Sequence, residues 1–234
     1  MSDTSTKLYT FEQYFLKNSS QAARLHGWLE EAWLPAYSRL TGTRAALVTD
    51  AVVADHVPQV AVVAEWASFE EWHECQGSMR ADADMRAALE YWEDHSEPPY
   101  EHFTQSLLEG TPYSPTLKPG GDAARIFELR VYHAPAYRQL QALHDRFEGP
   151  EIPIFHRCGI RPVLYTSALF GPWMPNLIYF TPFDSLGARE EAWAKFQADD
   201  EWIRVRTESI AEHGQMNAFF KVALYKTAAY SPVK

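Results

Sequence analysis

This sequence repeats itself, and the repeat limits the folds open to the chain more than any other property. When the 234 residues are compared with themselves at a shift of 117 positions, residues 42–115 align with residues 159–232 without gaps. Of these 74 pairs, 15 are identical, whereas composition alone would give about five. The block Tyr113-Ser114-Pro115 returns as Tyr230-Ser231-Pro232. We therefore expect two copies of one folding unit.

The repeat divides the chain into segments. We predict a disordered tail over residues 1–7, a first domain over residues 8–116, a linker over residues 117–123 and a second domain over residues 124–234. The tail has no apolar segment of the kind found in secretory signals. Residues 162–183 carry no charge, but their prolines exclude an unsupported membrane helix. Two strands joined by a loop explain that stretch better.

Charge and cysteine content narrow the choice of partners and compartment. The chain has 21 Lys and Arg against 31 Asp and Glu, which gives a net charge of −10. It has no basic stripe, so we expect neither a nucleic-acid partner nor binding to an anionic membrane. Cys75 and Cys158 form no CxxC pair, which favours a reducing compartment, and we predict a cytoplasmic location.

Each unit shows the same order of predicted elements. In the second unit, hydrophobic periodicity predicts strands at Arg125–Tyr132, Val163–Phe170, Leu177–Thr181 and Phe219–Tyr225. One helix follows the first strand, and another, capped by Asp184 or Ser185, follows the third. This β-α-β-β-α-β order is that of the ferredoxin-like split βαβ unit. The predicted fold class is therefore α+β, with two tandem ferredoxin-like repeats.

The first strand of the second unit separates into an apolar row and a polar row. The rows are Phe127, Leu129 and Val131 on one side, and Ile126, Glu128, Arg130 and Tyr132 on the other. We expect the apolar row to face the helices. The row that contains Glu128 and Arg130 has too much apolar surface to face water and too much charge to form a dry core. We therefore expect it to face a partly polar cavity between two opposed sheets.

Several spaced blocks of the second half resemble the NIPSNAP domain. These blocks are Phe127–Tyr132, Ile152–Pro162, Asp184–Leu186, Ala192-Trp193 and Asp200–Ser209. The first half resembles a diverged copy. The resemblance implies a dimeric α+β barrel, here built within one chain by sheet-to-sheet packing of the two repeats. Related barrels include cofactor-independent monooxygenases, haem proteins, and isomerases or cyclases that act on aromatic natural products, which is an analogy at the level of the fold.

The polar row supplies the main candidates for chemistry. We predict Glu128 and Tyr132 as catalytic residues, with Arg130 and Tyr179 binding the ligand, because a carboxylate and a guanidinium at this spacing can pair and leave the phenol free to donate a hydrogen bond. The alternative is a structural ion pair. His156 is a further catalytic candidate as a general base or haem ligand, although a histidine near a helix end also bonds to the last carbonyl groups.

Three more residues complete the predicted ligand site. A shift of 116 positions aligns Phe11-Glu12 with Phe127-Glu128, so Glu12 and Tyr14 are expected to share the cavity. Arg161 and its equivalent Arg44 each lie just before a predicted strand. Arg161 is expected either to bind an anionic ligand or to pair with a carboxylate between the units. The histidines have no zinc-binding spacing, so we predict no metal, and the tryptophans are expected to be core anchors.

Two functions remain open from the sequence. The first is a small-molecule-binding barrel, an enzyme of the monooxygenase or isomerase/cyclase type that needs no cofactor and acts on an aromatic or polyketide-like substrate. The second is a non-catalytic interaction or stress-related module with a filled barrel; a haem-binding barrel is a weaker third. An empty pocket of roughly 300 Å³ between the sheets favours the first. Two units close the barrel without a homo-oligomer, and further pairing of chains stays open.

Overall fold

A computed structural model of the chain describes residues 7–93, 96–121 and 125–234. The predicted tail over residues 1–7 lies outside the described residues except for Lys7. The predicted linker over residues 117–123 is described only up to Gly121. The domain boundaries therefore stay predictions. Among the described residues, no helix is both long enough and apolar enough to cross a membrane.

The first repeat has the predicted element order. Its elements are β1 (Leu8–Phe15), α1 (Ser19–Trp28), a π-helical turn (Leu29–Trp33), α2 (Leu34–Thr41), β2 (Ala46–Val53), β3 (Gln59–Trp66), α3 (Phe69–Ala81), α4 (Ala83–Glu93) and β4 (His102–Gly110). Ser68 caps α3 by accepting a hydrogen bond from the backbone N–H of Glu71. The chain leaves α2 through Gly42, whose φ of +67° is in the left-handed region that glycine adopts without strain.

The second repeat has the same elements. They are β5 (Ile126–His133), α5 (Tyr137–Arg146), a π-helical turn (Phe147–Glu151), α6 (Ile152–Cys158), β6 (Leu164–Phe170), β7 (Asn176–Phe183), α7 (Leu186–Gln197), α8 (Asp200–His213) and β8 (Phe219–Thr227). Ser185 caps α7 as Ser68 caps α3, and Asp199 caps α8. The internal repeat of the sequence is thus also a repeat of local structure.

The eight strands close into one antiparallel barrel in the order β1-β3-β2-β8-β5-β7-β6-β4. Each repeat contributes a four-stranded sheet in which its first strand lies between its third and fourth. The β2–β8 and β4–β6 pairs are the two seams that join the sheets. Full closure leaves no unpaired sheet edge. The predicted α+β barrel of two tandem ferredoxin-like repeats is therefore confirmed.

The sequence correctly predicts two rows on β5, but it assigns them to the wrong sides. Phe127, Leu129 and Val131 pack with strand residues of both repeats inside the barrel. Tyr132 and Tyr179 pack instead beneath the helices of the second repeat. The charged row can be buried there because helix α7 brings hydrogen-bond donors and positive charge to it. The sheet-to-sheet interior takes the apolar row, which needs no partners.

Strand register also corrects the equivalence between the repeats at their amino-terminal ends. Glu12 pairs with Val62, and Arg130 pairs with Tyr179. Val62 and Tyr179 are 117 positions apart, so Glu12 occupies the place of Arg130 rather than that of Glu128. Tyr14 therefore corresponds to Tyr132. Both π-helical turns keep this spacing of 118, and the offset returns to 117 at the glycines that end α2 and α6.

The repeated Tyr-Ser-Pro blocks fasten each repeat to the other. The hydroxyl of Tyr113 lies 2.6 Å from Nδ1 of His144, and that of Tyr230 lies 2.5 Å from Nδ1 of His26. The serine that follows each tyrosine accepts a hydrogen bond from a backbone N–H of the other repeat. We call these two contacts the Tyr–His clasps. They link residues far apart in the sequence and stabilise the closed barrel.

Candidate functional site

The predicted residues Glu128, Arg130, Tyr132 and Tyr179 do come together, beneath α7 rather than between the sheets. The carboxylate of Glu128 is fully buried and accepts hydrogen bonds from the side chains of Arg130, Arg189 and Trp193. The bond from Nε1 of Trp193 is 2.9 Å long, and that from Nε of Arg189 is 2.5 Å. Glu128 is therefore held by two guanidinium groups and one indole.

The rest of this network is equally well partnered. The Arg130 guanidinium lies 3.7 Å from the Trp193 ring centroid and donates to the Tyr132 hydroxyl. Tyr179 donates to that same hydroxyl at 2.9 Å, and burial raises its pKa well above the ordinary value, so the phenol stays neutral. A second ion pair, Arg146 with Glu151 at 2.7 Å, lines the same pocket.

This pocket leaves little room for a ligand. Its volume is about 130 Å³, below the size of ordinary small-molecule sites. Arg130, Arg146 and Glu151 in its lining already belong to ion pairs, which a ligand would have to break at high cost. The network therefore has the geometry of the structural ion pair that the sequence left open as an alternative.

The equivalent pocket of the first repeat is larger and differently lined. It has a volume of about 450 Å³ between β1, β4 and the helices. Aromatic and thioether side chains dominate its wall, namely Trp28, Trp33, Trp72, Phe103, Met79 and Met85. Glu12, Tyr14 and Gln105 supply a polar group on the sheet side. We call this space the Glu12 pocket.

Glu12 differs from Glu128 in having only neutral partners. Its carboxylate accepts hydrogen bonds from the Tyr14 hydroxyl at 2.7 Å and from Nε2 of Gln105 at 2.5 Å. Within the described part of the chain, no arginine, lysine or histidine forms an ion pair with it. Burial raises the pKa of Glu12 above its usual value of 4.5, and the two hydrogen bonds lower it only in part. A carboxyl group whose pKa is raised in this way is a stronger base than an ordinary glutamate and can both accept and return a proton.

Size differences at equivalent positions explain why the Glu12 pocket is open. Val62 stands where Tyr179 fills the second repeat, and Val48 stands where Tyr165 does. Trp28, at the end of α1, and Trp33, at the end of the π-helical turn, stand in place of the Arg146–Glu151 pair. Two smaller strand residues therefore leave space, and two indoles form a flat apolar wall beside it.

His156 and Arg161 lie apart from both pockets. His156 is exposed near the end of α6, and partial burial together with the charge of Arg161 lowers its pKa. Arg161 lines an open cleft with Arg125, Cys158 and Lys195. The structure thus places His156 where the helix-end interpretation expects it. His156, the residue predicted as the haem ligand, therefore faces neither pocket.

A third cavity lies inside the barrel, between the two sheets. It has a volume of about 450 Å³ and is lined by residues of both repeats, among them Phe11, Leu129, Ile178 and Tyr225. The sequence predicts a cavity in this place but assigns the wrong residues to it. Its size exceeds the roughly 300 Å³ set as the mark of a ligand-binding barrel, so the barrel is not filled by side chains.

Sequence reasoning missed most of the Glu12 pocket. Trp72 was expected to be a core anchor, and Trp28, Trp33 and Met79 were not proposed as ligand contacts. The signal that could have found them is the concentration of tryptophan and methionine on three helices of one repeat only. Among the described residues, no group of three or more His, Cys, Asp and Glu side chains is placed to hold a metal ion.

Comparisons with known proteins agree with the fold. Residues 127–232 match the NIPSNAP family model. The chain resembles the crystal structure of an anthrone oxidase-like protein, with a TM-score of 0.61, 14% identity, and coverage of 97% of this chain and 92% of that one. A comparison with curated proteins found no match.

Two further solved structures cover nearly the whole chain. A proposed monooxygenase of Fusobacterium nucleatum has a TM-score of 0.58 at 8% identity and covers 96% of this chain and 93% of its own. A mutant chlorite dismutase of Candidatus Nitrospira defluvii has a TM-score of 0.52 at 10% identity, with coverage of 96% and 92%. At these identities the likeness shows the fold alone.

Proposed function

Residues 127–232 match the NIPSNAP family model and lie within a closed α+β barrel, and from this premise we propose that the protein is an enzyme that binds an aromatic small molecule in the Glu12 pocket. In this proposal, Glu12 removes a proton from the bound molecule. The first repeat, which is the diverged copy, carries the reaction. The NIPSNAP half supplies the stable partner sheet that closes the barrel.

The observation that carries the proposal is the state of the Glu12 carboxyl group. It is half-buried and faces a ligand-sized space, no cationic side chain of the described residues forms an ion pair with it, and its pKa is raised. Structural carboxylates are normally neutralised by ion pairs, as Glu128 is. A half-buried carboxyl group with a raised pKa in an open pocket is the pattern of a general base.

The wall of the pocket supports a flat aromatic ligand. Trp28 stacks on Trp92 with ring centroids 4.7 Å apart, so its indole is held in one plane. Tyr14 stacks on Phe103 at 5.4 Å on the sheet side. Rings fixed in this way lose little conformational entropy when a planar molecule packs against them. A volume of about 450 Å³ suits a molecule of two or three fused rings.

The chemistry follows from these groups. The Glu12 carboxylate takes a proton from a carbon next to a carbonyl group, and the electron pair of the broken C–H bond moves onto the carbonyl oxygen to form an enolate. Arg80 and Arg86 line the same pocket and favour this negative charge. Return of the proton from Glu12 to another carbon completes an isomerisation without any change of oxidation state.

A monooxygenase reaction would begin with the same proton transfer. The enolate would then react with molecular oxygen, which serves as the oxidant, with one oxygen atom entering the product and the other leaving as water. The anthrone oxidase-like and proposed monooxygenase structures among the fold neighbours support this branch. Both branches depend on Glu12, so one variant tests their common step.

Deuterium exchange at the acidic CH₂ carbon of anthrone tests the proposal. Wild-type protein should accelerate this exchange in D₂O, and Glu12→Gln should lower the rate by at least about 100-fold, the ordinary contribution of a general base. Glu90→Gln, an exposed acid on α4, is the matched control and should keep the wild-type rate. Exchange that is equal in wild type, Glu12→Gln and buffer would overturn the proposal.

Binding of the same compound separates positioning from chemistry. Trp72→Ala should weaken anthrone binding, measured by isothermal titration calorimetry, because it removes one wall of the pocket. Glu12→Gln should bind anthrone with nearly wild-type affinity, since the amide preserves the shape of the pocket. Loss of exchange in a variant that still binds assigns the chemical role to the carboxyl group.

A further inference from the structure

The cavity inside the barrel is separate from the Glu12 pocket and has its own lining. It is enclosed by strands of both repeats, whereas the Glu12 pocket lies between one sheet and its helices. We propose that the barrel interior is a second ligand site, for an uncharged and mainly apolar molecule that carries one hydroxyl or carbonyl group. This site does not depend on Glu12.

The apolar part of the cavity lining indicates that most of the ligand is apolar. Phe11, Leu129, Val131 and Ile178 line one side of the cavity, and all four are buried in the barrel core. Phe11 also packs edge-on against Phe180 with ring centroids 5.5 Å apart, which fixes its orientation. An empty apolar space of this size loses dispersion contacts that a ligand would restore. The wall therefore favours an apolar occupant over water.

A polar group in the same lining defines the single polar function. Gln13 and Tyr225 line the cavity, and both donate hydrogen bonds to Oε1 of the buried Gln59. The Nε2 group of Gln59 is buried, and within the described part of the chain it has no partner. Burial raises the pKa of Tyr225, so its phenol remains a neutral donor and acceptor. This trio has hydrogen-bonding capacity that the fold leaves unused.

The charges around the cavity exclude an ionic ligand. Lys221 and Asp55 line the cavity and form an ion pair with each other at 2.9 Å. The charge of the long Lys221 side chain is thus compensated by Asp55. The remaining polar lining consists of amide, hydroxyl and imidazole groups, which are those of Gln13, Thr104, Ser106 and His102. A buried ionised ligand would find no opposite charge there, whereas a hydroxyl or carbonyl group would find donors and acceptors.

A strained tryptophan stands at the opening. Trp173 has a φ of +64°, which is uncommon for a residue with a bulky side chain, and nearly half of it is exposed. Its carbonyl oxygen accepts hydrogen bonds from His133 and Asn176, which hold this conformation. Lys221 lies 4.9 Å from its ring centroid. A strained backbone conformation of this kind persists only where the surrounding contacts hold it in place, and such residues are concentrated at ligand-binding sites.

The adjoining glycine brings this loop close to the cavity wall. Gly171 has a φ of +154°, and a Cβ placed there would lie 2.9 Å from Cβ of Ser106, which lines the cavity. A larger residue would push the loop and Trp173 away from the opening. The absence of a side chain at Gly171 therefore allows Trp173 to lie over the opening of the barrel cavity.

Residue-specific NMR with two probes tests this second site. 1-Naphthol has one hydroxyl group, and naphthalene has none. Titration of 1-naphthol into methyl-labelled protein should shift the methyl signals of Ile178 and Val131, which line the barrel cavity, whether or not it also shifts Met79 and Met85 of the Glu12 pocket. Shifts confined to Met79 and Met85, or no shifts at all, would overturn the second site and leave the proposal for Glu12 intact.

Two variants identify the contacts. Ala223→Phe fills the cavity and should abolish the shifts at Ile178, while Ala229→Phe, at an exposed position, should leave them unchanged. Gln13→Leu removes the polar partner and should weaken 1-naphthol binding in the barrel about tenfold without weakening naphthalene binding. Equal effects of Gln13→Leu on both probes, or barrel shifts that survive Ala223→Phe, would contradict the proposed site.

Discussion

The two helix–sheet pockets of this protein occupy the same place in two copies of one fold, yet they are built from opposite chemistry. In the second repeat, Arg130, Arg146 and Arg189 hold two buried glutamates. At the positions of those three arginines, the first repeat has Glu12, Trp28 and Trp72, one acid and two indoles. The charge that stabilises one pocket is therefore missing from the other.

This difference shows how a duplicated fold can divide its tasks. The second repeat uses its space for ion pairs and tyrosines, which leaves about 130 Å³ free. The first repeat forgoes the ion pairs, keeps about 450 Å³ open and leaves one carboxyl group with only neutral hydrogen-bond donors. Stability and a reactive site compete for the same volume, and under the proposed function each repeat has one of them.

The largest contrast is expected from removing each glutamate. Glu128→Gln leaves the half-buried Arg130 without its carboxylate partner and leaves Arg189 only its exposed partner Glu190, so it should cost about 3–5 kcal/mol in the free energy of unfolding. Glu12→Gln removes no ion pair and should change that free energy by no more than about 1 kcal/mol. Urea denaturation of both variants measures the difference. Equal losses would mean that the two acids have the same structural role.

A smaller effect should come from the Tyr–His clasps. Tyr113→Phe and Tyr230→Phe each remove one hydroxyl that contacts a histidine of the other repeat, and each should lower the free energy of unfolding by about 1 kcal/mol. The two sites are independent, so the double variant should show nearly the sum. Thermal unfolding measures all three variants. A double variant no less stable than wild type would show that the clasps do not hold the barrel closed.

Much of the fold could be predicted because it depends on the hydrophobic periodicity and the internal repeat of the sequence. The shift of 117 positions and the alternation on β5 were enough to give the two units and their strands. Alternation separates the two faces of a strand but does not say which face meets the helices. The predicted assignment of the two faces was wrong because Arg189 and Trp193, which hold Glu128, come from α7, far away in the sequence. No local pattern around Glu128 indicates these two partners.

The candidate site was less predictable for a related reason. Glu12 and Tyr14 do line a pocket, but it is not the cavity between the sheets that they were predicted to share with Glu128. The shift of 116 positions aligned Glu12 with Glu128 and so concealed the reversal of charge at Arg130. Strand register gives an offset of 118 before Gly42 and Gly159, two residues away from that alignment, and only the register resolves it. His156 was selected by residue type alone, and residue type does not place a side chain in a cavity.

The pH dependence of stability sharpens the contrast between the acids. Because the pKa of Glu12 is raised in the folded state, the folded protein retains a proton that the unfolded chain has already released as pH rises above about 4.5. The free energy of unfolding of wild type should therefore fall relative to that of Glu12→Gln as pH rises through the interval between the ordinary and the raised pKa. Chemical denaturation at a series of pH values measures this difference, and a constant difference would mean that the pKa of Glu12 is not raised.

The smallest effect concerns the two equivalent arginines that precede β2 and β6. Arg44 pairs with Glu71 at 2.9 Å and approaches Glu65, whereas the corresponding positions beside Arg161 are Ala188 and Pro182. Arg44→Gln should therefore cost up to about 1 kcal/mol, and Arg161→Gln should stay within about 0.5 kcal/mol of wild type. Urea denaturation at low and high salt measures both, since screening should reduce only the effect at Arg44. A larger loss at Arg161 would mean that this residue holds the repeats together, as one interpretation of the sequence suggested.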